Sequence, residues 1–535
     1  MKRNRNSGAA VVDAGPRGLV ETHAKEQKMR LLEVVAGAET RSVSGQADRE
    51  IAAVAYDSRK VVPGTLFFAL KGEKLSGADF VTGAVDRGAV AVASEEPRAL
   101  QGLPENIATV ELLAGSERRA LATAASNFYR HPAQALALTG VTGTNGKTTT
   151  TFLIDAILRA AGKITGLVGT TGYRTPRAPR PAVNTTPESL DIQEMMAEVR
   201  TAGGSHMVME VSSHGLAKDR LWGCHFQAAV FTNLTHDHLN FHGNLENYFA
   251  AKRRLFEGTG AEPPRFGVIN TDDAHGRLLQ GLSQETLTYG LESGAQITTK
   301  KFSRAFTGLE FTAQTPAGKI EVRSTLVGRV NVYNILAAIG AGLALGLAPA
   351  AIEAGIRELT AVPGRFERID EGQEFRVVVD YAHADDALRN LLKVARELAG
   401  TGRIILVFGA GGNRDRSTRP LMGEAAGALS DLVILTSDNP RTEDPLRIIN
   451  DVVVGLQKVN GTYQIEPDRE RAIELAFDAA RSGDIVLLAG KGHENSQILK
   501  DRTFRFDDRE MAREILRRRG YGKPGQPDAT RNGKA

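Results

Sequence analysis

One glycine-rich string stands out among the residues that could do chemistry. Thr-Gly-Thr-Asn-Gly-Lys-Thr-Thr occupies residues 142–149, directly after a predicted strand and before a predicted helix. Glycines let backbone N–H groups close around phosphate oxygens, and the helix N-terminus adds the positive end of its dipole. We therefore expect Lys147 to reach the outer phosphates of a nucleotide and the Thr148 hydroxyl to ligate magnesium.

This string departs from the strict G-x-x-x-x-G-K-T spacing. Val141 stands at the first position of that pattern, and the additional glycine is Gly140. A chance glycine-rich turn is the alternative interpretation, which the preceding strand and the following Lys-Thr pair disfavour.

Three further residues could supply metal ligands or charge. Glu210 ends an apolar predicted strand and offers a hard oxygen ligand suited to magnesium. His238 follows Asp237 just beyond another strand, where a capping or core histidine is the alternative. Lys252 has the pattern of a helical lysine, for which solvent exposure is the ordinary interpretation.

Seven other short strings follow in one order along roughly residues 55–495. They are Asn-Thr-Thr-Pro (184–187), Met-Glu-Val-Ser-Ser-His-Gly-Leu (209–216), Thr-Asn-Leu with Asp-His (232–238), the stretch 248–256, Asn-Val-Tyr-Asn (331–334), Asp-Tyr-Ala-His (380–383) and Asp-Asn-Pro-Arg (438–441). With the glycine-rich loop, these strings resemble the Mur ligases and, less closely, their folylpolyglutamate synthetase relatives. The Asp-Asn-Pro-Arg string is similar to that of the diaminopimelate-adding members, whereas lysine-adding members lack its arginine.

The resemblance implies an ATP-dependent acid–amino-acid ligase of peptidoglycan precursor synthesis. Its substrates would be ATP, UDP-N-acetylmuramoyl-L-alanyl-D-glutamate and meso-2,6-diaminopimelate, with Mg²⁺ as a cofactor. ATP would phosphorylate the side-chain carboxylate of the D-glutamate, and an amine of diaminopimelate would attack the acyl phosphate and expel phosphate. We expect a cytoplasmic monomer with no nucleic-acid partner and no membrane span.

The same resemblance assigns roles to particular residues. Lys252 would be carbamylated by carbon dioxide and so become a carboxylate-like metal ligand. The expected catalytic residues are Lys147, Glu210, His238 and Lys252, and the expected metal ligands are Thr148, Glu210, His238 and the Lys252 carbamate. The expected ATP contacts are Gly143, Thr144, Asn145, Gly146, Lys147, Thr148, Thr149, Asn331, Asn334, Arg365, Asp380 and His383. The UDP-substrate would contact Ser58, Asn184, Thr185, Thr186, Ser212 and Arg220, and diaminopimelate would contact Arg414, Asp438, Asn439, Pro440, Arg441, Gly490 and Glu494.

Charge supports the choice of amino acid. A diamino-dicarboxylate needs cations for its carboxylates, which Arg441 can clamp bidentately, and anions for its amines, which Asp438 and Glu494 provide. Lysine has no distal carboxylate, so it would leave Arg441 unpaired. Lysine addition, folylpolyglutamate synthesis and a non-catalytic nucleotide-sugar or nucleic-acid binding protein are the alternatives. Ser58 together with Asp-Asn-Pro-Arg disfavours the second, and the intact Lys147, Glu210, His238 and Lys252 disfavour the third.

Three positions depart from the family pattern. His236 stands where an arginine usually precedes the Asp-His pair, and Asn240 stands where an aspartate is common. Ala384 and Asp385 replace the Thr-Pro or Asn-Pro that follows the histidine at 383. We expect local differences at the hinge and at the ATP edge of the site.

The chain's length predicts about three α/β domains. Strand–helix alternation favours a small N-terminal α/β domain, a central P-loop ATPase-like domain with a mostly parallel sheet, and a C-terminal doubly wound, Rossmann-like domain. The predicted bounds are 29–133 for UDP-substrate binding, 134–361 for ATP binding and 362–520 for amino-acid binding. Residues 1–28 and 521–535 are expected to be disordered, with Met29 near the structured start.

Bulk composition limits other function classes. The net charge is +4, but residues 1–28 hold six basic against three acidic residues and residues 521–535 hold three against one. The body between them is near neutral, so it has no field to attract a polyanion. Cys224 is the only cysteine, which excludes an intramolecular disulfide, and we expect it to be a small buried hydrophobe. The uncharged stretch 335–352 imitates a membrane span, but its glycines and Pro349 predict two packed helices instead.

Overall fold

The computed structural model describes residues 28–72, 75–292, 294–303 and 305–522. Apart from residues 28, 521 and 522, the predicted N-terminal extension and C-terminal tail lie outside these residues. The chain divides into two compact units. The first takes the residues up to Ala135 with Glu188–Ala197 and Lys218–Cys224, and the second takes Leu136–Pro187, Glu198–Ala217 and the chain from His225 onward.

The N-terminal stretch builds one five-stranded sheet, in the order β2-β7-β6-β5-β4. Its elements are β1 (Met29–Arg30), α1 (Leu31–Val34), β2 (Thr40–Ser44), β3 (Glu50–Ile51), β4 (Ala53–Ala55), β5 (Thr65–Phe68), α2 (Val81–Asp86), β6 (Ala89–Ser94), β7 (Ala108–Leu112) and α3 (Glu117–Phe128). Apolar residues alternate with polar ones in β7, where Val110 packs in the core beside Leu66 and Ala91. The predicted α/β character of this stretch is confirmed.

The central stretch carries an eight-stranded sheet, in the order β11-β10-β9-β12-β8-β13-β14-β15. Its elements are β8 (Ala137–Thr142), α4 (Lys147–Ala160), β9 (Thr165–Gly169), β10 (Gly172–Arg174), β11 (Pro179–Arg180), α5 (Ser189–Thr201), β12 (His206–Glu210), α6 (Ser213–Ala217), β13 (Phe226–Phe231), α7 (Leu239–His242), α8 (Leu245–Glu257), β14 (Phe266–Asn270), α9 (Ala274–Arg277), β15 (Glu285–Tyr289), β16 (Leu309–Thr315), β17 (Gly318–Ser324), α10 (Arg329–Ala344) and α11 (Pro349–Glu358). Strands β9, β12, β8, β13, β14 and β15 pair in parallel, as expected for a sheet with helical crossovers. The β16–β17 hairpin was not predicted.

The apolar stretch 335–352 forms parts of two helices, as predicted. Helix α10 ends at Ala344, and Pro349 occupies the first turn of α11, where its missing N–H leaves no helical bond unmade. None of the described helices is long and apolar enough to cross a membrane. Cys224 is buried, as predicted, and burial raises the pKa of its thiol to about 12.

The C-terminal stretch is doubly wound around a six-stranded sheet, in the order β18-β19-β23-β20-β21-β22. Its elements are β18 (Glu367–Ile369), β19 (Arg376–Asp380), α12 (Asp385–Ala399), β20 (Ile404–Phe408), α13 (Thr418–Leu429), β21 (Leu432–Leu435), α14 (Pro445–Lys458), β22 (Tyr463–Ile465), α15 (Arg469–Ala479), β23 (Ile485–Ala489), β24 (Ser496–Ile498), β25 (Thr503–Arg505) and α16 (Asp508–Arg518). Alternate residues of β20 face different cores: Leu406 packs in one cluster and Ile405 in the other. Both faces of the sheet are therefore covered by helices. Strands that are buried on both faces need apolar residues at every position, as β20 has.

The predicted fold class is thus confirmed in all three stretches. The domain bounds themselves stay a prediction, because the compact units follow a different division.

Candidate active site

The glycine-rich loop joins β8 to α4. Gly143 and Gly146 have φ angles of 145° and 89°, a region that residues with a Cβ disfavour. A Cβ on Gly143 would lie 1.9 Å from Thr232 Oγ1, and one on Gly146 would lie 2.5 Å from Asn334 Oδ1. Both positions therefore require glycine, and the bare backbone leaves N–H groups at the start of α4 for an anion.

Two lysines share one carbonyl of this loop. Lys147 Nζ donates to the carbonyl oxygens of Gly143 at 2.9 Å and Thr144 at 2.8 Å. Lys252 Nζ donates to the same Gly143 oxygen at 2.7 Å, and the residue is only 1% exposed. Burial lowers the pKa of Lys147, and burial together with the nearby charge of Lys147 holds the pKa of Lys252 well below its ordinary value. The loop thus concentrates cationic groups where phosphate oxygens would need them.

Glu210 lies at the carboxyl end of β12, beside the strand that carries the loop. Its carboxylate accepts hydrogen bonds from Thr170, at 2.9 Å from the backbone N–H and 3.1 Å from the hydroxyl. Thr148 is buried at the start of α4, and Arg365 Nη2 donates to its Oγ1 at 3.2 Å. The two oxygen ligands predicted for one metal therefore lie on α4, the helix that follows β8, and at the end of the neighbouring strand β12.

Tyr248 links the other two predicted metal ligands. Its ring lies 4.4 Å from Lys252 Nζ and 6.1 Å, between centroids, from the ring of His238. Its hydroxyl lies 3.2 Å from Thr144 Oγ1. Burial lowers the pKa of His238, against the opposing charge of Asp237, whose carboxylate lies 3.4 Å from His238 Nε2. A neutral imidazole is the form of histidine that binds metals.

Among the described residues, no group of three or more His, Cys, Asp or Glu side chains is arranged to hold a metal ion. The predicted ligand set of one threonine, one glutamate, one histidine and one lysine is of a different composition, so the roles of these four residues stay predictions.

The asparagines predicted for ATP hold each other inside α10. Asn334 Nδ2 donates to Asn331 Oδ1 at 2.9 Å, and Asn331 Nδ2 donates to the carbonyl of Val327 at 2.7 Å. Thr150 of α4 donates to Asn334 Oδ1 at 3.4 Å. The pair therefore connects α10 with the helix that follows the glycine-rich loop.

The remaining predicted ATP residues come from the C-terminal stretch. Asp380 ends β19 and accepts from the N–H groups of Phe366 at 2.7 Å and Ala382 at 2.9 Å, while burial raises its pKa. The Arg365 guanidinium lies 4.9 Å from the centre of the Tyr381 ring, a cation–π distance. His383 Nδ1 lies 2.9 Å from the Tyr381 carbonyl. Arg365, which also reaches Thr148, joins this edge to the loop.

Asp386, in the first turn of α12, is a second residue of the C-terminal stretch that contacts the glycine-rich loop. Its Oδ2 accepts from Asn145 Nδ2 at 3.3 Å and from Thr235 Oγ1 at 3.2 Å. The departure of Asp385 from the family pattern predicted a local difference here, but it did not single out Asp386.

The residues predicted for the UDP-substrate are divided between the two units. In the first unit, Ser58 begins a short 3₁₀ turn, and Arg220 Nε donates to Glu188 Oε1 at 2.9 Å. In the second unit, Thr186 Oγ1 donates to the Glu210 carbonyl at 2.8 Å and accepts from the Ser212 N–H at 2.9 Å. The others there are Asn184, whose carbonyl accepts from Tyr173, and Thr185, whose hydroxyl lies 3.1 Å from that of Thr170.

The three loops predicted for diaminopimelate follow β20, β21 and β23, which are neighbours in the sheet. A Cβ on Gly411 would lie 3.2 Å from Arg441 Nη1 and 3.5 Å from Arg414 Cγ, so the two arginines flank this glycine. Among the described residues, no hydrogen bond or ion pair engages the exposed Arg414 guanidinium. The predicted convergence of strand ends is confirmed, while the ligand contacts stay predictions.

Acidic groups lie at the same strand ends. Glu494 Oε2 accepts from Asn439 Nδ2 at 2.8 Å and from the fully buried Lys491 at 3.3 Å. A Cβ on Gly490 would lie 2.7 Å from Asp438 Oδ2, which explains why a glycine stands there. Burial raises the pKa of Asp438 against the opposing charges of Arg469 and Lys491. Pro440 lies between Asn439 and Arg441 in the loop after β21.

Sequence reasoning missed several residues that shape the site. Thr170 holds Glu210, Tyr248 lies between His238 and Lys252, and Asp386 contacts the loop. Thr232 belongs to a string that was recognised, but it was given no role. Tyr248 likewise begins the recognised stretch 248–256 without a role, whereas no local pattern distinguishes Thr170 from other threonines.

Three models of one family match the sequence. They are the Mur ligase family, catalytic domain (residues 50–138), the Mur ligase middle domain (141–342) and the Mur ligase, glutamate ligase domain (364–492). The chain belongs to the Mur ligase family.

Curated relatives carry more specific names. The chain is 53% identical, over 89% of its length and 95% of the relative's, to the UDP-N-acetylmuramoyl-L-alanyl-D-glutamate–2,6-diaminopimelate ligase of Solibacter usitatus. It is 44% identical, over 88% and 96%, to the protein of the same name from Geobacillus thermodenitrificans. A solved structure of a UDP-N-acetylmuramoyl-L-alanyl-D-glutamate–2,6-diaminopimelate ligase aligns with a TM-score of 0.63 and 34% identity, over 92% of this chain and 99% of that one.

Proposed function

We propose that this chain is an ATP-dependent ligase that joins meso-2,6-diaminopimelate to the D-glutamate of UDP-N-acetylmuramoyl-L-alanyl-D-glutamate, in cytoplasmic peptidoglycan precursor synthesis. The observation that carries the proposal is the glycine-rich loop with two lysine amines on one carbonyl, Glu210 on the adjacent strand and three amino-acid loops in the same compact unit. The names of the curated relatives support the choice of substrates.

The first step would be phosphoryl transfer. A carboxylate oxygen of the D-glutamate attacks the γ-phosphorus of ATP, the bond to the β-phosphate oxygen breaks, and ADP leaves behind an acyl phosphate. Two anions must approach each other in this step, so positive charge between them lowers the barrier. Lys147 lies in the glycine-rich loop where it can stabilise both, and Arg365 reaches the same end of α4.

Magnesium would supply further charge neutralisation of the phosphates. Thr148 and Glu210 fit one ion as hard oxygen ligands, and His238 with Lys252 would hold a second. An ammonium at Lys252 could not ligate a cation, but the low pKa of this amine favours the neutral form that reacts with carbon dioxide. The carbamate would also replace one of two neighbouring positive charges by a negative one. The residues present therefore fit both groups.

The second step would be amide formation. A neutral amine of diaminopimelate attacks the acyl carbon, loses a proton, and the tetrahedral intermediate collapses with expulsion of phosphate. Arg441 and Arg414 would hold a carboxylate of the amino acid, and Glu494 and Asp438 would hold its ammonium groups. Arg365 and Asp386 both contact residues of the central stretch, which would keep water from the acyl phosphate.

The UDP-substrate would be bound by hydroxyl, amide and guanidinium donors. The proposed contacts are Ser58, Asn184, Thr185, Thr186, Ser212 and Arg220. The Glu188 carboxylate accepts from Arg118 Nη1 at 2.7 Å and from Arg220 Nε at 2.9 Å, which fixes the position of the Arg220 guanidinium.

The deciding experiment is phosphate release by the purified chain. Release should require ATP, Mg²⁺, the UDP-dipeptide and diaminopimelate together, and lysine should support it far more weakly. If neither diaminopimelate nor lysine supported phosphate release, the ligase assignment would be contradicted. Equal turnover with lysine would contradict only the choice of amino acid.

The carbamate needs its own test. ¹³C-labelled bicarbonate should give a carbamate carbon resonance in the wild-type chain and none in Lys252→Ala, and short carboxylates should restore part of the variant's activity. Full activity of Lys252→Ala without such additives would contradict this assignment.

A further inference from the structure

A buried arginine lies under two of the three amino-acid loops. Arg419, in the first turn of α13, is 1% exposed although it carries a full charge. Its guanidinium donates to both carboxylate oxygens of Glu443, at 2.9 and 3.0 Å, and to Asp451 at 2.9 Å. It also donates to the Gly411 carbonyl at 3.2 Å. Arg419 therefore reaches both the loop after β20 and the loop after β21.

Reciprocal hydrogen bonds join these two loops. The backbone N–H of Asn413 donates to Glu443 Oε1, and Asn413 Oδ1 accepts from the N–H and hydroxyl of Thr442 at 3.2 and 2.9 Å. The Gly412 N–H donates to the Asn439 carbonyl at 2.9 Å. Each loop thus supplies a side chain that holds the backbone of the other.

Both loops contain a non-glycine residue in the left-handed region. Asn413 has a φ of 55° and Arg441 a φ of 54°. A side chain disfavours this conformation, most of all one longer than asparagine, so surrounding contacts must stabilise it. For Arg441 these contacts are its N–H bond to the Ile498 carbonyl at 3.0 Å and its Nη1 bond to the Gly412 carbonyl at 2.7 Å.

The cluster of Arg419, Arg416, Glu443 and Asp451 adds no net charge of its own to the site. Arg419 and Arg416 face Glu443 and Asp451, two cations against two anions, since Arg416 pairs with Asp451 at 3.1 and 3.2 Å. A neutral cluster gives little long-range field, so its influence on a bound anion must come from the geometry it imposes.

We propose that Arg419 and Glu443 are positioning residues for amino-acid selection, which act through the backbones of Asn413 and Arg441 to aim Arg414 and Arg441 at a carboxylate of the incoming amino acid. This inference rests on the proposed function, because it concerns the same amino-acid loops. Neither residue touches the reacting atoms. Loss of either side chain lets the two loops separate and relaxes Arg441 toward an ordinary φ.

The test measures KM and kcat of Arg419→Lys and Glu443→Gln in the full chain. Each variant should raise KM for diaminopimelate roughly tenfold or more, since a displacement of about 1 Å misaligns a bidentate contact. The KM values for ATP and the UDP-dipeptide should stay within about twofold, and preference for diaminopimelate over lysine should fall by the same factor as the KM rises.

Arg403→Lys is the matched control. Arg403 makes a comparable pair with Asp484, at 2.6 and 3.1 Å, but lies at the opposite, amino-terminal end of β20. Its variant should lower thermal stability without raising KM for diaminopimelate.

A double-mutant cycle separates positioning from general destabilisation. In a background that carries both Arg414→Ala and Arg441→Ala, Arg419→Lys should add little to the KM for diaminopimelate, because its effect passes through these two arginines. Additive effects on KM, an equal rise in the KM for ATP, or an unchanged KM for diaminopimelate in both single variants would each overturn this inference. In each case a wild-type chain that is active with diaminopimelate still upholds the proposed function. A wild-type chain without diaminopimelate-dependent release would overturn both.

Discussion

The glycine-rich loop and the amino-acid loops present opposite solutions to binding an anion. In the first, the buried amines of Lys147 and Lys252 both donate to the Gly143 carbonyl, burial depresses the pKa of each, and Lys147 is the cation proposed to meet phosphate. In the second, the buried Arg419 pairs with the half-buried Glu443, next to the loops that carry the exposed Arg414 and the half-buried Arg441. Phosphates are recognised by strong local positive charge, whereas discrimination between two amino acids depends on where a guanidinium points.

Lys147→Ala should have the largest effect, because it removes the central cation of the glycine-rich loop. We expect phosphate release to fall about a thousandfold, in the range seen when a preorganised transition-state contact is lost. Lys163→Ala, an exposed lysine beyond the end of α4, should leave the rate unchanged. A Lys147→Ala rate within tenfold of the wild type would mean that charge in this loop is not what drives phosphoryl transfer.

Arg441→Ala should come next, and it should distinguish the two regions. Loss of a bidentate carboxylate contact is worth about 2–3 kcal/mol, so KM for diaminopimelate should rise about fiftyfold while KM for ATP stays the same. Activity with lysine should change little. Arg447→Ala, an exposed arginine in α14, serves as the control in the same assay. If KM for ATP rose in parallel, the two regions would not be separable.

Asp386→Ala tests the contact between α12 and the glycine-rich loop. Two hydrogen bonds of 3.2 and 3.3 Å are lost, so we expect kcat to fall roughly three- to tenfold with binding constants nearly unchanged. Asp385→Ala removes a carboxylate from the same helical turn, so it controls for the helix dipole. Equal kcat values for the two variants would show that this contact does not serve catalysis.

The smallest effect concerns stability at low pH. Burial, followed by the charge of Arg365, lowers the pKa of His493 to about 4, from an ordinary value near 6.5. The folded chain then binds fewer protons than the unfolded chain between these values. Stability should therefore fall as pH drops from about 6.5 to about 4, by on the order of 2 kcal/mol from this group.

His493→Gln should flatten that part of the curve, whereas exposed His225→Gln should not. Chemical denaturation at a series of pH values measures both variants. A curve for His493→Gln that parallels the wild type would show that His493 is not the group responsible.

Local sequence carried most of what could be predicted. The loop at residues 142–149 is contiguous, and its glycines, lysine and threonine lie within one turn between β8 and α4, so pattern alone located it. The strand–helix alternation was predictable for the same reason, since strands such as β20 and β23 are uninterrupted apolar runs. The β16–β17 hairpin was missed although its pattern is local: apolar and polar residues alternate in Leu309–Thr315 and Gly318–Ser324, around a turn that contains Pro316 and Gly318.

What only the tertiary structure decided lies in pairs distant along the chain. Lys252 is an ordinary helical lysine by sequence, yet folding places its amine 2.7 Å from a carbonyl 109 residues earlier and removes it from water. Folding likewise brings Arg419 of α13 to Glu443 in the loop after β21, and nothing in the sequence around either residue indicates this pair. The sequence by itself determined the fold class, the nucleotide loop and the family resemblance, because these depend on local spacing. Burial and charge pairing depend on which segments the sheet brings together, so they could be decided only by the folded chain.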